Sequence, residues 1–259
     1  MKRLKGRTSL ITGGGRGIGA ATALALAKAG VSVAVVARNE EQVVEVAARL
    51  RQKGYEAFAF RCDVTNSRDV REVAMAAREA MGQVDILVNN AGTATSGPLT
   101  RVTLEEWNHV MAVNVTGTFL FTKAILPDMV ERGWGRVVNV SALAGLRGTR
   151  YVSAYTTSKH AVVGFTRAVA AEVAGTGVTV NAICPGYVNT PLTQEMVARI
   201  VERTGRSFQD ALATLLQQTG QYRLIPPTEV AEAIVQLCQQ ESADVNGDAI
   251  PMDGGGLDI

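Results

Sequence analysis

The feature that most constrains the fold of this chain is a cluster of glycines between a strand-like and a helix-like segment. Residues 8–12 have the character of a short buried strand. Gly13, Gly17 and Gly19 follow, and an Ala- and Leu-rich stretch then runs to Gly30. Glycines allow a backbone to approach a pyrophosphate closely, and the N-terminus of the following helix faces its negative charge. A glycine-rich turn alone is often only a turn, but this strand–loop–helix context predicts a dinucleotide site.

Strand-like and helix-like segments alternate along the rest of the chain, an order typical of parallel sheets. We expect an α/β fold: a single-domain, Rossmann-type, doubly wound parallel sheet of about seven strands, with helices on both faces. The domain would span residues 1–259, with a dinucleotide-binding core at 6–190 and 223–255 and a small helical substrate lid at 191–222. A capping box at Thr103 starts a long helix that we expect to break before or at Pro127. The predicted strands are 8–12, 31–37, 57–62, 84–88, 136–140, 178–183 and the tail 246–255, where Pro251 disfavours a central position.

Composition and charge exclude several other classes of protein. The formal net charge of +2 is too small to imply a nucleic-acid or membrane-surface partner. No apolar run is expected to approach the ~20 residues of a membrane span, and the basic N-terminal stretch lacks the long apolar segment of a signal peptide. The three scattered cysteines predict buried thiols, with no metal site and no disulfide. We therefore expect a cytoplasmic protein.

The residues that end the second predicted strand decide between the two nicotinamide cofactors. An acidic residue there hydrogen-bonds the ribose 2′-hydroxyl of NAD, whereas a basic residue accommodates the 2′-phosphate of NADP. This chain has Ala37 and then Arg38, and Arg16 in the glycine loop is a second cation. Although most arginines are simply solvated, the missing acid predicts NADP(H) in preference to NAD(H).

Tyr155 and Lys159 are four residues apart in a predicted helix, so their side chains project from the same face. An ammonium near a phenol favours the ionised form, and we therefore expect the Tyr155 pKa to fall below its usual value of ~10. A phenol with that pKa is suited to general acid–base catalysis. The spacing alone is common by chance, and its weight comes from the other motifs of the chain.

Seven motifs follow one another in a fixed order: Thr12-Gly13-x-x-x-Gly17-x-Gly19, Asp63-Val64, Asn89-Asn90-Ala91-Gly92, Asn114, Tyr155-x-x-x-Lys159, Pro185-Gly186 with Thr190, and Asp253-Gly254-Gly255. From about Gly6 to Gly255 the chain thereby resembles the short-chain dehydrogenase/reductase family. The stretch from Ser158 to Pro191 is especially similar to bacterial 3-oxoacyl reductases and aromatic-polyketide ketoreductases.

The resemblance implies a role for each matched position. Lys159 would hold the nicotinamide ribose and lower the Tyr155 pKa, while Asn114 would anchor a water that relays protons to Lys159. The implied cofactor contacts are Gly13, Arg16, Gly17, Ile18 and Gly19 at the phosphates and adenosine ribose, Asp63 and Val64 at the adenine, Asn90, Ala91 and Gly92 alongside, and Pro185, Gly186, Val188 and Thr190 at the nicotinamide end.

The chain departs from the family at one catalytic position. The family's serine usually precedes the tyrosine by thirteen residues, and this spacing reaches Ala142, whereas Ser141 lies one residue too early. Successive side chains of an extended segment point to opposite sides, so the slip would aim the Ser141 hydroxyl away from the substrate. Three interpretations are open: a Ser→Ala variant made to trap substrate, which we favour, a natural enzyme without the serine, or an extra loop residue that lets Ser141 serve.

The resemblance also implies the reaction and its partners. We expect reduction of a 3-oxoacyl thioester or polyketide-type ketone in fatty acid or polyketide metabolism, with an acyl carrier protein as a candidate partner and a homotetrameric assembly. The alternatives are an NAD(P)-dependent dehydrogenase of a cyclic or aromatic secondary alcohol and a non-catalytic NADPH-binding protein. The lid segment has apolar residues that suit an acyl substrate or simply pack on the body, namely Met196, Phe208, Leu212, Leu215, Leu216 and Tyr222. Five arginines are candidate contacts for a CoA or carrier phosphate: Arg147, Arg150, Arg199, Arg203 and Arg206.

Overall fold

All seven strands that the structure describes belong to one parallel sheet. A computed structural model describes residues 4–255, so residues 1–3 and 256–259 of the predicted 1–259 domain lie outside the described part of the chain. The strands are β1 Thr8–Thr12, β2 Ser32–Ala37, β3 Ala57–Arg61, β4 Ile86–Asn89, β5 Gly135–Val140, β6 Val178–Pro185 and β7 Ala249–Met252. The helices are α1 Gly17–Lys28, α2 Glu40–Gln52, α3 Ser67–Met81, α4 Leu104–Met111, α5 Gly117–Glu131, α6 Ser153–Glu172, α7 Pro191–Thr204, α8 Phe208–Gln218 and α9 Pro227–Cys238.

The strand order places the ligand cleft. The order is β3-β2-β1-β4-β5-β6-β7, so the chain direction across the sheet reverses between β1 and β4. In open parallel sheets, ligands bind outside the carboxyl ends of the strands at such a switch point. The predicted doubly wound fold is confirmed, and β7, which contains Pro251, occupies the sheet edge because it pairs only with β6.

Two apolar cores cover the two faces of the sheet. One includes Leu26 of α1, the buried face of α2 and Ile234 of α9, while the other includes Val73 of α3, Phe121 of α5 and the buried face of α6. Strands buried on both faces read as near-continuous apolar runs, which is why the sequence predicted them so directly. The three cysteines are buried and free, as expected.

The predicted break at Pro127 is wrong, because the helix continues through it to Glu131. The Arg78 side chain from α3 donates to the carbonyl oxygen of Ala124 at 2.5 Å and pairs with Asp128 at 2.6 Å. These contacts on both sides of the proline support the helix where its own hydrogen bonding is weakened.

The continuous helical segment Leu104–Glu131 is also long and apolar enough to cross a membrane by length and composition, contrary to the expectation that no such run exists. Its buried residues, among them Phe121, Ile125 and Met129, pack in the core with α3 and the sheet. A core helix of a globular protein meets the same criterion, so the observation carries little weight for a membrane.

The segment 191–222 is helical, as predicted, and consists mainly of α7 and α8. Val197, Ala211 and Leu215 form a small apolar cluster between these two helices. The predicted apolar lid residues differ in their environment: Met196 lines the cleft, whereas Phe208 and Tyr222 are exposed. The lid therefore holds itself together and presents only part of its apolar surface to the site.

Candidate active site

A cleft of 630 Å³ opens at the carboxyl ends of the strands and brings together most of the predicted site residues. Its volume is typical of cofactor and ligand sites. The predicted residues that line it are Gly13, Arg16, Gly17, Ile18, Arg38, Asp63, Val64, Asn90, Ala91, Gly92, Ser141, Ala142, Tyr155, Lys159, Pro185, Gly186, Val188 and Thr190. Gly19 and Asn114 do not line it, and each supports the cleft wall from behind.

The glycine loop is shaped by close backbone packing. Gly13 has a φ of +64°, and a Cβ on Gly19 would lie 2.2 Å from the Gly13 carbonyl oxygen. The side-chain amide of Asn90 donates to the carbonyl oxygens of Thr12 (2.9 Å) and Gly13 (3.1 Å), which fastens the loop to the end of β4. A side chain at Gly19 would collide with the loop itself, so close packing requires glycine at this position, and its predicted contact with the cofactor stays a prediction.

Charged groups gather at the end of the cleft where the sequence predicts the adenosine half of the cofactor. Arg38 is exposed and takes part in no ion pair among residues 4–255, whereas Arg16 pairs with Glu195 of α7 at 3.0 Å. Burial alone would raise the pKa of the Asp63 carboxyl, but hydrogen bonds from Thr65 and the charge of Arg38 outweigh it and lower that pKa. The Arg38 side chain is thus free to meet a further anion.

Tyr155 and Lys159 lie on the inward face of α6, as their spacing predicts. The Lys159 Nζ is 5.6 Å from the Tyr155 ring centroid and donates to the Val140 carbonyl oxygen at 2.8 Å. Burial raises the pKa of the Tyr155 phenol, with smaller contributions from Tyr187 and Cys184, and burial lowers the pKa of Lys159 to about 8. The expected lowering of the Tyr155 pKa is wrong for the chain's own groups, because loss of solvation raises that pKa and the ammonium of Lys159 makes no contribution that offsets the rise.

Asn114 lies in a π-helical turn, Ala112–Thr116, that joins α4 to α5. Its side-chain oxygen accepts from the Thr93 amide at 2.8 Å, and its nitrogen donates to the Thr93 carbonyl and to the Ser158 hydroxyl. A Cβ on Gly92 would lie 3.5 Å from Asn114 Oδ1 and 3.6 Å from Lys159 Nζ, so the two side chains meet there. The described contacts make Asn114 a clamp on the loop after β4, and its predicted water relay stays a prediction.

Ser141 and Ala142 both line the cleft, but the Ser141 hydroxyl is engaged by the protein itself. The Ser141 hydroxyl donates to the Lys159 carbonyl oxygen at 3.0 Å, in a niche so tight that a Cβ on Gly145 would lie 2.5 Å from it. Ala142 has a φ of −165° and ends the strand-like segment before the short 3₁₀ turn Leu143–Gly145. For Ser141 to serve the substrate it would have to leave this niche.

The lid completes the cleft opposite the loop after β4. Leu192, Met196 and Arg199, spaced at i, i+4 and i+7 along α7, line the cleft together with Tyr187 and Thr93. Sequence reasoning missed Tyr187 and Thr93, since neither carries a motif. The sequence predicted Met196 only as one of six apolar lid residues and Arg199 only as one of five candidate arginines.

The other four arginines considered for phosphate binding do not line the cleft. Arg147 donates to the Thr219 carbonyl, Arg203 to the Ser96 carbonyl and Arg206 to the Thr214 hydroxyl, while Arg150 is exposed. The structure thus singles out Arg199 among them.

Comparison with known proteins agrees with the fold and with the cleft. A family model described as short chain dehydrogenase matches residues 7–200. A protein of Streptomyces coelicolor named as a ketoacyl reductase is 38% identical over 249 residues, which are 95% of each chain. A 3-oxoacyl-[acyl-carrier-protein] reductase of Vibrio cholerae is 35% identical over 97% of this chain and 98% of its own length.

Among solved structures, a variant of actinorhodin polyketide ketoreductase with NADPH superposes with a TM-score of 0.93. It is 37% identical to this chain, and the match covers 98% of both chains.

Proposed function

The chain belongs to the short chain dehydrogenase family and is an oxidoreductase acting on CH–OH groups, and on that premise we propose that it is an NADPH-dependent carbonyl reductase. In the reverse direction it would act as a secondary alcohol dehydrogenase. The observation that carries the proposal is that Tyr155 and Lys159 lie in the same cleft as the glycine loop.

The residues present fit a nicotinamide dinucleotide phosphate. Close packing at Gly19, where no Cβ fits, keeps the glycine loop compact so that its backbone can approach a pyrophosphate, and β2 ends at Ala37 with Arg38 rather than an acidic residue directly after it. Arg38, which has no ion-pair partner among residues 4–255, would hold the 2′-phosphate, and Arg16 would assist. A ketoreductase of 37% identity carries NADPH in its crystal structure, which supports the same preference here.

The chemistry needs a hydride and a proton, and the cofactor supplies the hydride from nicotinamide C4 when bound. Tyr155 supplies the proton to the carbonyl oxygen as the carbon takes the hydride, which yields the secondary alcohol. Because burial raises its pKa, Tyr155 is protonated at neutral pH and is ready to donate. Lys159, held by the Val140 carbonyl, is placed to stabilise the tyrosinate that remains.

We propose a 3-oxoacyl thioester or a polyketide-type ketone as the substrate. Relatives named as ketoacyl reductases and an acyl-carrier-protein-dependent reductase support this class, as does the apolar edge formed by Leu192 and Met196. An acyl carrier protein would then be the partner that delivers the thioester.

Ala142 bears on how fast the chain turns over. It lines the cleft where the family has a serine that hydrogen-bonds the reacting oxygen, and the neighbouring Ser141 hydroxyl already donates to the backbone carbonyl oxygen of Lys159. We propose that the chain binds both ligands yet reduces slowly. A non-catalytic NADPH-binding protein is the alternative that Ala142 favours.

We further propose a cytoplasmic homotetramer. The family resemblance supports the assembly, and so do the exposed apolar side chains of Leu104 (73% exposed) and Phe119 (42% exposed) on the long helical segment. Light scattering coupled to gel filtration would give the mass directly, and a monomer would refute the assembly.

The test is NADPH oxidation with acetoacetyl-N-acetylcysteamine, a neutral thioester, and with cyclohexanone. Preference for the thioester supports the 3-oxoacyl class, and preference for the cyclic ketone supports a dehydrogenase of cyclic alcohols. Replacing NADPH by NADH in the same assay tests the cofactor assignment. Absence of oxidation in both the wild type and Ala142→Ser, despite tight NADPH binding, would refute a reductase of either class.

A further inference from the structure

We propose that Arg199 is an oxyanion-binding residue for the substrate, so that the enzyme selects ketones that carry a carboxylate or a phosphate away from the reacting carbonyl. The inference rests on the proposed carbonyl reductase and adds the charge class of its substrate. The shared chemistry is an oxyanion, either the carboxylate of a free oxo acid or the phosphate of a pantetheine arm.

The contacts of Arg199 are unusual for an arginine inside a cleft. Its side chain is half-buried, and its Nε is enclosed with no hydrogen-bond partner. None of the hydrogen bonds or ion pairs among residues 4–255 involves it. A guanidinium has five fixed donors, and leaving an enclosed donor unpaired costs free energy. Arg199 therefore has hydrogen-bond donors that a ligand acceptor could satisfy.

The position of Arg199 on α7 places it in the substrate half of the cleft. Glu195, one turn earlier, reaches back to Arg16 in the glycine loop, and Arg203, one turn later, reaches the Ser96 carbonyl at 3.4 Å. Arg199 lies between these two anchors and lines the cleft beside Met196. It therefore stands away from the Arg38 end, where the phosphate of the cofactor is expected.

The other charged residues along the cleft leave the positive charge of Arg199 without an acidic partner. Six of the described lining residues are Arg, Lys, Asp or Glu, namely Arg16, Arg38, Asp63, Lys159, Glu195 and Arg199. Glu195 is paired with Arg16, and Asp63 lies near Arg38, so neither acid serves the lid half. Lys159 stands beside Tyr155 at the reacting end. Among the described lining residues of α7, Glu195 is paired with Arg16 and Arg199 has no anionic partner, which favours a negatively charged ligand group beside Arg199.

The test compares matched acids and neutral partners in Ala142→Ser, with and without Arg199→Met. One arm uses acetoacetate, 4-oxopentanoate and 5-oxohexanoate against their methyl esters, so that the distance between ketone and carboxylate varies. The other arm uses acetoacetyl-CoA against acetoacetyl-N-acetylcysteamine, which lacks the phosphates. Arg203→Met is the matched control, since it removes an arginine one turn away that does not line the cleft.

We expect Arg199→Met to lower the ratio of kcat/KM for the charged substrate over its neutral partner about ten- to hundredfold, and Arg203→Met to leave the ratio unchanged. Arg199→Lys should recover part of the ratio, because it restores charge without the planar fork. Loss of preference in the first arm identifies a carboxylate, and loss in the second identifies a phosphate.

Binding of the same compounds to the NADPH complex of the chain, measured by calorimetry, separates this inference from the reaction. One outcome is that no compound is reduced, but the acids or the CoA thioester bind more tightly than their neutral partners and Arg199→Met removes the difference. In that case Arg199 binds the oxyanion, and the proposed reductase activity is refuted. If charged and neutral partners bind equally in the wild type, or Arg203→Met has the same effect as Arg199→Met, the assignment of Arg199 is overturned.

Discussion

Restoring a hydroxyl at position 142 tests the reading of the catalytic site most sharply. Ala142→Ser adds one oxygen at a side chain that is 7% exposed and lines the same cleft as Tyr155. The extended backbone there tolerates serine without strain, since its φ is −165°. The only new group is a donor facing the space where the carbonyl oxygen would lie.

The size of the effect follows from the low exposure of that position. A donor aimed at a developing oxyanion in a water-excluded site contributes about 2.7–4 kcal/mol to the transition state, so we expect kcat to rise about 10²–10³-fold. The same hydroxyl must be buried before substrate arrives, and an unpaired buried hydroxyl costs about 1–3 kcal/mol. Ala142→Ser should therefore be faster and somewhat less stable than the wild type.

The assay is NADPH oxidation under saturating acetoacetyl-N-acetylcysteamine, with unfolding of each protein followed in urea. Ser141→Ala is the matched control, because it removes a neighbouring hydroxyl that donates to the Lys159 carbonyl. We expect it to lower stability by about 0.5–1.5 kcal/mol and to leave kcat within a few fold. An unchanged kcat in Ala142→Ser together with a collapse in Ser141→Ala would refute the reasoning, since Ser141 would then be the donor.

Three further predictions concern the cofactor and the buried lysine. Arg38→Ala should weaken NADPH binding about ten- to hundredfold and NADH binding far less; equal losses in the two titrations would contradict a 2′-phosphate contact. Gly19→Ala should cost about 1–3 kcal/mol of stability and most NADPH binding, because its Cβ would lie 2.2 Å from a carbonyl oxygen. The control is Gly164→Ala, at an exposed position of α6 with open space around it, which should stabilise the protein by about 0.5–1 kcal/mol in the same urea series. The folded state holds Lys159 with a pKa of about 8, below its usual 10.5, so between these values the unfolded chain binds more protons and stability rises with pH. From pH 7 to 9.5 the wild type should gain about 2 kcal/mol in the free energy of unfolding relative to Lys159→Met, and a flat difference would show that Lys159 is not desolvated.

Local patterns were enough to predict the fold and the cofactor end of the site. The glycine loop, the doubly buried strands and the i, i+4 pair of Tyr155 and Lys159 depend on neighbours in sequence, and each is found where expected. The one-residue slip between Ser141 and Ala142 was also readable, because the spacing from Tyr155 is counted along the sequence alone.

What sequence reasoning missed depends on contacts between distant segments. Pro127 stays inside a helix with Arg78 of α3 in contact on both sides of it, and no pattern near the proline announces that partner. The Tyr155 pKa moves up rather than down because burial by the surrounding fold raises it and the charge of Lys159 does not offset the rise. Arg199 could be separated from four other arginines only once α7 was seated over the cleft.

Transfer of deuterium from NADPH tests the central claim most directly. The wild type and Ala142→Ser would each be incubated with acetoacetyl-N-acetylcysteamine and NADPH carrying deuterium at both C4 positions, and the product examined by mass spectrometry. The account predicts a 3-hydroxy thioester with one deuterium on the carbinol carbon, formed slowly by the wild type and much faster by Ala142→Ser. Tight binding of NADPH with no deuterium in any product of either protein, whether thioester, oxo acid or cyclic ketone is supplied, would contradict it.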